Sequence, residues 1–189
     1  MFQTRLRGFH LCHSRSRRQR GSRCRALTLA MLLLAPPAFI ATPGVIVPPA
    51  FAANLQPREG WSIQTSDKGY AALLRDLKSA VKTAGMGLVT EAGPTGAAAA
   101  RGIILPGNRV LGVFRNDFAV AILALSTAAM IEAPVRIYVT EAADGRATLS
   151  YKTPTHVFAP YMAEAGPDLA TLAAELDTIF AEIAGAALR

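Results

Sequence analysis

Pro134-Val-Arg-Ile-Tyr-Val-Thr-Glu141, the connector Ala142-Ala-Asp-Gly145, and Arg146-Ala-Thr-Leu-Ser-Tyr-Lys152 form the stretch that decides the fold. Apolar and polar residues alternate on both sides of Asp144-Gly145, the period-two pattern of two half-buried strands around a turn. Val135, Ile137 and Val139 share one face of the first strand; Ala147, Leu149 and Tyr151 share one face of the second. A two-residue Asp144-Gly145 loop sets Val139 against Ser150, apolar against polar, because a one-residue slip turns every side chain over. A three-residue loop, Ala143-Asp144-Gly145, instead pairs Ala142 with Arg146, Val139 with Leu149 and Ile137 with Tyr151. It requires a positive φ at Gly145, which glycine adopts without steric cost. The three-residue loop is therefore expected, with the Val139–Leu149 pair turned toward the helices.

Upstream of the hairpin, Trp61-Ser-Ile-Gln-Thr65 alternates and reads as a first strand, with Ser66 and Asp67 as N-cap and first-turn acid of a helix. Tyr70, Leu73, Leu74, Leu77, Val81 and Ala84 recur at helical spacing until Gly85 stops the run. Residues 86–91 read as a second strand, and the small-residue segment 93–102 as one or two helical turns across residues 97–100. Beyond the turn at Pro106-Gly107-Asn108, residues 109–114 form a strand with apolar residues on both faces, expected at the centre of the sheet. Residues 118–131 predict a helix whose only polar side chains are Ser126 and Thr127. It is too short to span a bilayer and must be covered, within the fold or in a subunit interface.

Residues 153–166 read as irregular. Pro167 and Asp168 then open a last helix, striped by Leu169, Leu172, Ala173, Leu176, Ile179, Phe180 and Ile183. The order β-α-β-β-α-β-β-α, with a short helix after the second strand, predicts an α+β fold. A two-layer sandwich is expected: a mostly antiparallel sheet with the helices from Asp67 and Pro167 packed mainly on one face.

Bulk charge misleads here. The chain of 189 residues carries a formal net charge of +7, which suggests a nucleic-acid or membrane-surface binder. Eight arginines, however, lie between Arg5 and Arg25, and no acid precedes Glu59. Removing those eight from the 20 Lys+Arg leaves 12 against 13 Asp+Glu, about −1, so nucleic acid is not expected as a partner. The basic segment, the apolar run beginning Ala26-Leu-Thr-Leu-Ala-Met-Leu-Leu-Leu34 and the site Ala50-Phe-Ala-Ala53 follow the order of a secretory leader. Five prolines between Pro36 and Pro49 argue against a spanning helix. Residues 1–52 are thus expected to be a cleaved signal peptide, 53–60 a linker and 61–187 a single domain, exported to the periplasm or the medium without a stable membrane span. Arg17-Arg18 lacks the apolar residues that twin-arginine export wants just after the pair. Both cysteines, Cys12 and Cys24, fall in the leader, and His156 is the only histidine after it. Neither a disulfide nor a Cys/His metal site is expected of the mature chain.

Four runs resemble a known family. Tyr70-Ala-Ala-Leu-Leu-Arg-Asp-Leu-Lys-Ser-Ala-Val-Lys-Thr-Ala-Gly-Met-Gly-Leu-Val-Thr-Glu91, Gly107-Asn-Arg-Val-Leu-Gly-Val-Phe-Arg-Asn-Asp-Phe-Ala-Val120, Ala133-Pro-Val-Arg-Ile-Tyr-Val-Thr-Glu141 and Thr148-Leu-Ser-Tyr-Lys-Thr-Pro154 are similar, in that order, to the domain of unknown function number 302 family. The resemblance covers most of residues 61–184. It implies a compact two-layer β-α-β-type fold, often dimeric, with no assigned activity, cofactor or catalytic residue. Many members carry Cys-Asn-Pro where this chain reads Arg115-Asn116-Asp117. Only the asparagine is kept, so no cysteine chemistry carries over.

The candidate ligand-binding residues are Arg115, Asn116, Asp117, His156 and Tyr161. The first three lie where a strand meets an apolar helix, and free N–H groups at a helix start hold anions; the plain alternative is a helix cap. A lone histidine such as His156 serves as acid or base near neutral pH, yet no nucleophile or carboxylate partner is evident beside it in sequence. Tyr161 lies close by, with packing as its alternative. Gly93-Pro-Thr-Gly96 lacks the spacing of a phosphate loop. The expected function is a non-catalytic dimeric module of the cell envelope that binds a small molecule or a protein, without cofactor. The alternative is a small-molecule hydrolase or isomerase using His156 and the Arg115-Asn116-Asp117 cluster.

Overall fold

The computed structural model describes residues 55–189. The expected leader, and with it the cleavage site, lies outside the described residues. The elements are β1 (Trp61–Gly69), α1 (Tyr70–Thr83), β2 (Gly87–Ala92), α2 (Thr95–Ala99), β3 (Asn108–Phe114), α3 (Asn116–Leu125), a 3-10 turn (Ala129–Glu132), β4 (Val135–Glu141), β5 (Arg146–Lys152), α4 (Pro154–Phe158), a second 3-10 turn (Ala159–Tyr161), α5 (Met162–Ala165) and α6 (Pro167–Leu188). The five strands form one sheet in the order β1-β5-β4-β3-β2, and every neighbouring pair is antiparallel. Strand β3 is interior, as its two-sided apolar pattern suggests, but β4 holds the centre.

The hairpin has the expected register: Val139 pairs with Leu149 and Ile137 with Tyr151. Gly145 has φ 80°, and the Ala142 N–H donates to the Arg146 carbonyl at 2.8 Å. Val139 and Leu149 are both fully buried in a single core with Leu73 and Leu77 of α1, Phe118 and Ile122 of α3, and Leu169 and Phe180 of α6. Each such side chain contributes about 1.5–3 kcal/mol relative to exposure. Helices therefore cover one face of the sheet. Among the described residues no helix is long and apolar enough to cross a membrane.

Three local expectations need correction. Ser66 and Asp67 do not cap α1, because β1 continues through Gly69 and stays bonded to β5 as far as Arg146 across an irregularity. Ser66 Oγ instead accepts the Lys68 N–H. Lys68 Nζ bonds Asp76 Oδ2 on α1 at 2.8 Å and the Ala187 carbonyl at 2.9 Å, placing a cation against the negative end of α6. The apolar helix begins at Asn116 and stops at Leu125 instead of reaching Ile131. Ser126 turns extended, with φ −154° and ψ 118°; its hydroxyl accepts the Ala129 N–H and donates to Glu164, so the chain re-enters as a 3-10 turn. Residues 153–166, expected irregular, hold α4, α5 and the turn between them. Asp177 of α6 makes α4 possible by accepting both the N–H and the hydroxyl of Thr155 at 3.0 and 2.7 Å.

Candidate functional site

The face of the sheet away from the helices carries the other half of each alternating pattern. Cross-strand pairs place Trp61 beside Lys152, Ile63 beside Ser150, Ser150 beside Tyr138, and Tyr138 beside Val110. A recess of about 370 Å³ opens on this face, lined among others by Trp61, Val110, Arg136, Tyr138, Ser150 and Lys152. That volume falls within the usual range for small-molecule sites. Glu132 of the first 3-10 turn and Val157 of α4 also line it.

Three features distinguish the recess from an ordinary solvated face. Ser150 is 0% exposed although the pleat directs it to this side, and its hydroxyl has no hydrogen-bond partner among the described residues. An unpaired buried hydroxyl costs about 1–3 kcal/mol. Second, Arg136 and Lys152 stand opposite each other on β4 and β5, one step beyond the Ile137–Tyr151 pair. Neither has a carboxylate partner among the described residues, and like charges directly opposite are unfavourable. Third, the Trp61 ring has the Arg58 guanidinium 5.7 Å and the Lys152 ammonium 5.8 Å from its centroid, within cation–π range. Beyond it, Asn108 Nδ2 donates to the Tyr138 hydroxyl at 2.5 Å, which fixes that ring.

The residues singled out from sequence lie at the same end of the sheet, where β3 and β5 finish and β1 and β4 begin, but they do not form one constellation. Arg115 is the N-cap residue of α3 and provides no side-chain cap. Its Nε bonds Asp117 Oδ1 at 2.8 Å and its guanidinium lies 4.3 Å over the Phe118 ring. The hydrogen bond from Arg115 holds the Asp117 carboxyl below its ordinary value. Asn116 is the first residue of the helix and is exposed. His156 is exposed on α4 with its ring packed on Gly60, and has no hydrogen-bond partner among the described residues. Tyr161 is bonded to the recess lining: its hydroxyl donates to Glu132 Oε1 at 2.9 Å, and that bond raises the phenol pKa.

Sequence reading passed over Trp61, Arg136, Tyr138, Ser150 and Lys152. Arg136, Tyr138, Ser150 and Lys152 are the polar-face members of strands recognised by their apolar face, and alternation alone assigns such residues to solvent; Trp61 belongs to the apolar half of β1, which faces the recess instead of the helices. The usable signal was the register itself, which sets Arg136 against Lys152. Among the described residues no group of three or more His, Cys, Asp or Glu is placed to hold a metal ion.

Comparison with known proteins bears on the fold and the family. No curated protein matches the chain. Of solved structures, the crystal structure of an uncharacterized conserved protein DUF302 from Bacillus stearothermophilus aligns with a TM-score of 0.61 at 16% identity, covering 70% of this chain and 100% of that one. The family model "Domain of unknown function DUF302" matches residues 61–186, nearly the whole of the folded domain, so the chain belongs to the DUF302 family.

Proposed function

We propose that the domain is a non-catalytic binding module of the cell envelope, working as a homodimer and holding a small ligand on the open face of its sheet. The observation that carries this reading is Ser150, a fully buried hydroxyl in the wall of an open recess, without a partner among the described residues. A bound molecule that supplies an acceptor removes the cost of leaving that group unpaired. The envelope assignment rests on the leader-like residues 1–52. Dimerisation is supported by Val120 and Leu123, 59% and 48% exposed one turn apart on α3, an apolar stripe that a second copy would cover. A hydrolase or isomerase built on His156 has less support, because that ring lies against Gly60 and, among the described residues, neither nucleophile nor carboxylate is bonded to it.

Native mass spectrometry of the purified protein tests ligand and oligomer together. A dimer mass with additional bound small-molecule mass is expected, and bare monomer overturns the reading. Ser150→Ala should lose the retained mass while melting no earlier than the parent. Val120→Glu with Leu123→Glu should sediment as a monomer with an unchanged melting temperature. Protein recovered outside the cytoplasm should begin near Ala53; recovered material beginning at Met1 contradicts cleavage.

A further inference from the structure

Resting on that reading, we infer that the recess takes a small organic anion: a carboxylate on an apolar body, seated between Arg136 and Lys152. Two independent features point to this class. The first is charge. Continued one step past the Ile137–Tyr151 pair, the antiparallel register puts the two cations across from each other on neighbouring strands, and both line the recess; the flanking pairs of their row, Trp61 with Lys152 and Arg136 with Gly112, bring no carboxylate between them. An anion placed there converts a mutual repulsion into two charge-assisted contacts, and the planar guanidinium matches a carboxylate through two parallel N–H groups.

The second feature is the adjoining row. There Ser150 offers its unpaired hydroxyl, Tyr138 is held in place by Asn108, and Val110 continues the surface toward β3. Trp61 adds an aromatic wall at the other side. A bare inorganic anion would leave this apolar lining wet, whereas an apolar alcohol or amine would leave the cations unpaired. Among the described residues the one carboxylate in the lining is Glu132, and it is already engaged by the Tyr161 hydroxyl. The recess thus sets a pair of cations beside an aromatic and apolar lining.

Trp61 is the only tryptophan in the chain, so its emission reports on this site directly. The test titrates the purified full-length protein with 4-phenylbutyrate, 4-phenylbutanol, 4-phenylbutylamine and inorganic phosphate, following that emission. Phenylbutyrate should give a saturable change, with the alcohol and the amine at least tenfold weaker and phosphate without saturation. Arg136→Gln, at an exposed position, should weaken phenylbutyrate at least tenfold and leave the alcohol unchanged. Equal affinity for acid, alcohol and amine overturns the anion assignment, and phosphate binding as tightly as phenylbutyrate overturns the organic part of it. If no probe binds while native mass spectrometry finds a retained molecule, the ligand class is wrong and the binding module stands. If no probe binds and nothing is retained, both fail.

Discussion

Single positions carry two of the fold's tightest constraints. Gly60 has φ 70°, and a Cβ there would lie 2.1 Å from His156 Cγ. Its carbonyl accepts the Thr153 N–H at 2.8 Å, joining the start of β1 to the segment that opens α4. Gly60→Ala should therefore cost about 1–2 kcal/mol for left-handed backbone and more for displacing the histidine. Adding His156→Ala should recover the steric part alone, and urea unfolding of the two variants separates the contributions. Asp76 supplies a pH signature. The hydrogen bond from Lys68 keeps its carboxyl below the ordinary range, so in the unfolded chain it titrates higher, near about 3.9. The contribution is complete above that value and is lost as the pH falls through the lower folded value. Asp76→Asn should lower the urea midpoint at pH 7 and narrow the difference between wild type and variant at pH 3.

At the level of elements, legibility tracked how local each determinant was. The hairpin was readable to the residue, because alternation and a glycine three residues past Ala142 decide the register between them. Helix α6 was readable from its stripe: Leu169, Ala173, Leu176, Phe180 and Ile183 are all buried. Helix α4 was not, since its first turn is held by Asp177, 22 residues from Thr155. The end of α3 was missed for a related reason. Ser126 inside an apolar run reads as a tolerated polar residue, yet its hydroxyl holds Ala129 on one side and Glu164 on the other. Ser126→Ala should cost about 1 kcal/mol, as lost caps do, measured by thermal melting. Ser126→Thr keeps the hydroxyl and should recover most of it. The recess was illegible because its walls come from β1, β3, β4 and β5 together, and only the strand order brings Trp61 next to Lys152.

For the whole molecule, α1, α3 and α6 share one core with the helix-facing side of the sheet. Unfolding should accordingly be a single transition, with Trp61 emission and far-ultraviolet circular dichroism losing signal at the same denaturant concentration. An earlier change in emission would mean that β1 opens by itself. The place of β1 also matters in time. It lies at one border and bonds only to β5, so Trp61, leaving the ribosome early, waits for Lys152. Closing so long a loop costs entropy before that ladder forms, and pairings this distant in sequence slow folding. The five-stranded sheet cannot be completed before Lys152 has been made. The chain commits to a shape only when the hairpin near its far end has emerged.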